Sequence, residues 1–135
     1  MVDLGSEAGV LKLSSTVAGA VAAMSLLAPD KFQDTFYDAS VPHAHVSVTR
    51  HHAIVLAGLS ALMATAASPR ADRPLQRTAL KVAGATWLAA GLLNVYETTN
   101  SQMTKATWGI AAVNCLLGGL CLWKATRASK GSARP

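Results

Sequence analysis

All four histidines of this 135-residue chain fall in one stretch, His43-Ala-His45 and His51-His52, within reach along the chain of Asp30, Asp34 and Asp38. Imidazoles and carboxylates are metal ligands, and two histidines separated by one residue on an extended segment project to the same side. A metal centre needs three or four such groups converging, and no defined fourth ligand accompanies these, so no metal site is expected. A neutral imidazole also ligates the central metal of a tetrapyrrole, which makes His51 or His52 the candidate ligand for a haem or a chlorophyll. A haem held by two histidines is not expected, because it takes matched histidines on facing helices and the other apolar runs carry none. The competing reading is a loop cluster that caps the following helix and packs on a partner through His43 and His45.

The elements that must position these groups are four apolar runs, residues 13–28, 53–68, 82–96 and 106–123. Flanking residues whose side chains reach the headgroups extend them to spans of about 10–28, 51–68, 78–97 and 105–124, close to the roughly 20 residues a bilayer core requires. A basic tail over 125–135 follows. With 51% hydrophobic and only 14% charged residues, the chain lacks the polar faces that a soluble bundle would show to water. The second run, Ala53-Ile-Val-Leu-Ala-Gly-Leu-Ser-Ala-Leu-Met, is apolar all round. The predicted fold is therefore an all-α integral-membrane domain of four transmembrane helices in an up-down bundle. Trp108 and Trp123 bracket the fourth run and Tyr96 closes the third, as interfacial aromatics do.

Charge placement gives the expected orientation. Lys12, then Arg70, Arg73, Arg77 and Lys81, then Lys124, Arg127, Lys130 and Arg134 fall on one side of such a bundle, nine against the three of Lys31, Arg50 and Lys105. By the positive-inside rule both termini lie on the cytosolic, stromal or matrix face. The first 28 residues do not read as a secretory signal, since Asp3 and Glu7 make the start acidic and the small residues of a cleavage site are missing. An organellar address is then expected to be internal or already removed. The basic residues are not interleaved with aromatics, so no nucleic acid is expected as a partner.

Pro29 ends the first helix at Ala28 and Asp30 is the expected N-cap of a short amphipathic helix in the outer connection, with Phe32, Phe36 and Tyr37 on one face. Together with His43 and His45 they form the expected partner-contact loop. Pro69-Arg-Ala-Asp-Arg-Pro74 reads as a proline-bracketed turn. Counting from the outer ends puts Thr16, Ser60, Thr86 and Asn114 at one depth near the midplane, where polar groups find partners across helices. Asn114 is expected to bond Ser60 or Thr86. Ala18, Gly19, Ala22, Ala23, Gly84, Gly91, Gly118 and Gly119 supply small faces for close helix approach. Cys115 and Cys121 form neither a disulfide framework nor a zinc motif and read as small core residues.

The sequence contains no GxSxG elbow, HExxH, CxxC or phosphate-binding loop, and an enzyme is not expected. The layout of four short runs, with Leu26-Leu-Ala-Pro-Asp-Lys-Phe32 closing the first and Arg50 preceding the second, resembles the DoxX-like small four-helix membrane proteins. That resemblance implies a fold more than an activity. The expected role is a small accessory subunit that stabilises a larger membrane complex of a photosystem or a respiratory chain, in the thylakoid or mitochondrial inner membrane. Other integral-membrane subunits and membrane lipids are its expected partners. No cofactor is required, although chlorophyll, carotenoid or lipid fits a photosystem setting. The alternatives are a stand-alone DoxX-like protein holding a small apolar ligand such as a quinone around Asn114, and a small transporter or channel. The last is disfavoured because no charge lies inside the runs.

Overall fold

The computed structural model describes residues 3–37, 46–100 and 103–131, with side chains at all of these except 46–48 and 128–131. It is all-α: α1 (Glu7–Leu27), α2 (Pro29–Phe36), α3 (Val46–Ala66), α4 (Arg73–Thr99) and α5 (Thr107–Gly131). Only an isolated bridge between Tyr37 and Met103 interrupts this pattern among the described residues.

The helix ends follow local chemistry. Ser6 caps α1, its Oγ accepting from the Gly9 amide at 3.0 Å, and Glu7 in the first turn suits the positive end of the helix dipole. α1 stops at Leu27 with Ala28 as its C-cap. α2 then starts on Pro29 itself, with Ala28 as its N-cap and no side-chain cap bond. The expected N-cap, Asp30, lies instead in the first turn, because proline's fixed φ and missing amide suit the N1 position. The same chemistry places Pro74 inside α4 and not in a turn. Asp72 caps the helix, its Oδ1 accepting from Leu75 N at 2.8 Å, and Pro74 occupies the first turn. α4 therefore begins at Arg73, over a turn before the expected start at 78. α5 likewise runs through the basic segment to Gly131, so much of the expected tail is helix.

α3 packs along α1, and α5 along α4. The order of contacts makes α4 and α5 antiparallel: Gly84 faces Gly118 and Leu122, while Gly91 faces Ala111 and Cys115. α1 and α5 also run in opposite directions, with Ser14 meeting Cys121 and Gly5 meeting Lys124. The two pairs share one core of Val10, Leu11, Ala18, Met63, Ala66, Leu80, Ala83, Trp87, Leu117 and Cys121.

Among the described residues, three helices, α1, α4 and α5, are long and apolar enough to cross a membrane, by length and composition. Four spans were expected, and α3 is not among those three. α3 starts at Val46 and not near 51, and its described side chains, residues 49–66, open on Arg50, His51 and His52.

Candidate functional site

The histidine stretch divides. His43 and His45, with Asp38, lie outside the described residues, whereas His51 and His52 are on the second turn of α3, both exposed. Successive helical residues point about 100° apart, so the two imidazoles cannot serve one face together. No group of three metal-binding side chains occurs among the described residues.

Next to α3, α2 turns back onto its own chain. Gln33, 3% exposed, donates from Nε2 to Thr49 Oγ1 at 2.7 Å and ties α2 to α3. At the other end the Phe36 carbonyl accepts from Thr104 N at 3.0 Å and Thr107 Oγ1 at 3.1 Å, and the Thr35 carbonyl accepts from Thr104 Oγ1 at 2.7 Å. The Phe32 and Phe36 rings meet at a tilt of 59° with centroids 4.9 Å apart and are half-buried, as is Tyr37. Burial, reinforced by the carboxylate of Glu97, raises the Tyr37 phenol above its ordinary 10.0. The segment expected to meet a partner is thus also clamped, through the backbone carbonyls of Thr35 and Phe36, onto the α4–α5 connection.

Inside the bundle, Ser60 and Asn114 have turned inward and Thr16 and Thr86 have not. Ser60 Oγ donates to the Ser15 carbonyl at 2.8 Å, and Ser15 Oγ donates to the Ser60 carbonyl at 2.9 Å. Thr16 is exposed and returns its hydroxyl to the Lys12 carbonyl at 2.9 Å, while Thr86 is on the outer face of α4. The interior partner of Ser60 is therefore Ser15. Residue counting fixes depth only, and Ser15 and Thr16 at nearly equal depth face directions about 100° apart. Asn114 is 6% exposed on α5. Ser14 and Cys121 meet at 3.3 Å, joining α1 to α5. Trp87, 5% exposed in the middle of α4, has no acceptor for its indole Nε1 among the described residues. Two signals pointed to these groups in the sequence: Ser14-Ser15 adjoins Thr16, and Trp87 is the one tryptophan remote from a run end, where an indole N–H has no headgroup to bond.

At the opposite end from α2, the first turns of α1 and α4 meet the last turns of α5. Gly5, Ser6, Glu7, Ala8, Arg73, Gln76 and Arg77 line an open cleft of about 440 Å³. Lys124 Nζ donates to the Gly5 carbonyl at 2.7 Å and lies 4.8 Å from the centre of the Trp123 ring, with the Arg127 guanidinium 4.4 Å from the same ring. Lysine stems and a tryptophan ring arranged this way are stable at headgroup depth.

These features define a small, all-α, multi-pass integral-membrane protein. Comparison with protein-family models, with characterised proteins and with solved structures finds no match to this chain.

Proposed function

We propose that this chain is a non-catalytic accessory subunit that packs into a larger membrane assembly, of a photosynthetic (photosystem) or respiratory kind, and stabilises it. The observation that carries this reading is the outer surface. Among the described residues, a side chain added at Gly58, Gly109 or Gly119 would meet nothing within 4 Å, so a neighbouring helix has room to approach to backbone distance there. Around them Val55, Leu92 and Leu116 are 70%, 66% and 74% exposed and offer apolar contact. Inside the molecule, Gly84, Gly91 and Gly118 hold α4 against α5 in just this way. α3, as long as α1 and packed along it, completes a fourth crossing. Both ends of the chain lie on the positive-inside face of a thylakoid or mitochondrial inner membrane. In a photosystem the gaps between such helices hold chlorophyll, carotenoid or lipid, with His51 or His52 as the pigment ligand.

The test is mild-detergent extraction followed by native size separation, with an absorption spectrum and identification of the co-migrating chains. Migration with a large complex is expected, and leucine at Gly109 and Gly119 should release the chain from it. Migration of the wild type as a colourless monomer or small homo-oligomer overturns the proposal.

One observation favours a second reading, a stand-alone DoxX-like protein that binds a small apolar ligand such as a quinone. Trp87 Nε1 is a buried donor without an acceptor among the described residues, and Asn114 is buried at a similar depth, so a ligand carbonyl between helices would find hydrogen bonds. A short-chain benzoquinone should then quench tryptophan fluorescence saturably, and Asn114→Leu should abolish saturation while leaving any assembly intact.

A further inference from the structure

We propose that the cleft between the first turns of α1 and α4 binds the phosphodiester of an anionic membrane lipid. Three features of the cleft point to this ligand. First, it carries the right groups. Arg73 and Arg77 line it, and guanidinium groups match phosphate oxygens with paired donors. Gln76 and Ser6 add neutral polar atoms. Glu7 and Ala8, which also line it, belong to the first turn of α1, where helix amides have no carbonyl partner within the helix.

Second, its charge suits one anion and not two. With Lys124 and Asp3 on Gly5 at its edge, the cleft's Arg73, Arg77 and Lys124 against Glu7 and Asp3 leave a single excess positive charge. A phosphodiester carries one negative charge, whereas free phosphate near neutral pH carries more, and the carboxylates would oppose the excess.

Third, the cleft is at the depth of lipid headgroups. Its walls are the starting turns of two helices that are long and apolar enough to cross a membrane. Buried Val10 and Leu11 follow within a turn of its α1 wall, and buried Ala79 and Leu80 within a turn of its α4 wall. Lys124, which bonds the Gly5 carbonyl at the cleft edge, also borders the Trp123 ring, the side chain that marks the interface on α5. Basic pockets between membrane helices on the positive face bind anionic headgroups.

The experiment uses the purified full chain in neutral detergent and follows its thermal unfolding midpoint as phosphatidylglycerol, phosphatidylcholine or inorganic phosphate is added. Phosphatidylglycerol should raise the midpoint saturably and the other two should not. In Arg73→Gln/Arg77→Gln the half-saturating phosphatidylglycerol mole fraction should rise about tenfold or more, since each interfacial cation contributes about a factor of five. Lys12→Gln, which removes an exposed cation from the same end but outside the cleft, should shift it less than twofold. If the double variant does not fold, Arg73→Gln alone carries the test with a rise of about fivefold. An equal loss in Lys12→Gln would mean diffuse surface charge and overturn the site. A full shift with inorganic phosphate would overturn the lipid as its occupant. Absence of any shift in the wild type would overturn both.

Discussion

The α4–α5 pair and the α1–α3 pair solve the same problem by different means. Between helices in lipid there is no hydrophobic gain from contact, because acyl chains are as apolar as leucine, so close packing and interhelical hydrogen bonds must supply the attraction. α4 and α5 use packing. A Cβ on Gly118 would lie 2.8 Å from Leu88 N and 3.0 Å from the Gly84 carbonyl, and one on Gly91 would lie 3.2 Å from Cys115 N. Those backbones touch, and nothing larger than hydrogen fits between them. α1 and α3 use hydroxyls. Ser15 and Ser60 exchange bonds with each other's carbonyls, and Gly19 lies beside the Ser60 side chain, 3.1 Å from where its Cβ would be to Oγ. Steric fit tolerates no enlargement, whereas a hydroxyl pair tolerates loss. The two pairs should therefore fail to different degrees when substituted.

The largest effect should come from Gly118→Leu, which drives a side chain into the α4 backbone. About 2–3 kcal/mol of destabilisation is expected, in the range of overpacked cores, read from SDS-driven unfolding in bicelles. Gly119→Leu, one residue away but on the open face, should stay within about 0.5 kcal/mol of wild type. Equal losses at both positions would show that backbone contact does not hold this pair.

A smaller effect is expected at the hydroxyls. Ser15→Ala and Ser60→Ala should each cost about 0.6 kcal/mol, and at most about 1.7, with a double-mutant cycle assigning most of it to the pair. Thr16→Val should be silent in the same assay, since its hydroxyl bonds only its own helix.

The smallest effect lies outside the bundle, at the α2 clamp. A Tyr37 phenol held above 10.0 favours the folded state while it is neutral. Its contribution is complete below pH 10 and is lost as pH rises through the folded-state value. In a Tyr96→Phe background, ultraviolet titration should show Tyr37 ionising above pH 10. Glu97→Gln should lower that midpoint only part of the way, because burial is the larger cause. A midpoint at or below 10 would mean that the clamp is open in solution.

Much of this architecture was legible in the sequence, for identifiable reasons. Long uncharged runs give helices of membrane length, and Gly84, Gly91 and Gly118 announced a close packing face because small residues have little other use at that depth. Element ends were harder. Asp72 and Pro74 satisfy the rules of a helix start as well as those of a turn, and only the unbroken helix after them decides between the two. Rotation about each helix axis was least legible. α1 and α5 are apolar on every side, so hydrophobicity does not say which face turns inward, and Thr16 could not be told from Ser15 by depth. The fold-back of α2 rests on Thr104 and Thr107, about 70 residues away in sequence, a pairing that no local pattern announces.

The bond between Ser14 and Cys121 has a consequence for how the chain is made. Its partners are 107 residues apart, and the Lys124 contact with Gly5 spans 119. At translation speeds of about 5–20 residues per second, α1 is in the bilayer for roughly 5–20 s before α5 emerges to cover its inner face. During that interval Ser14 faces acyl chains or a chaperone, and the order of synthesis makes the first helix the last to find all its neighbours.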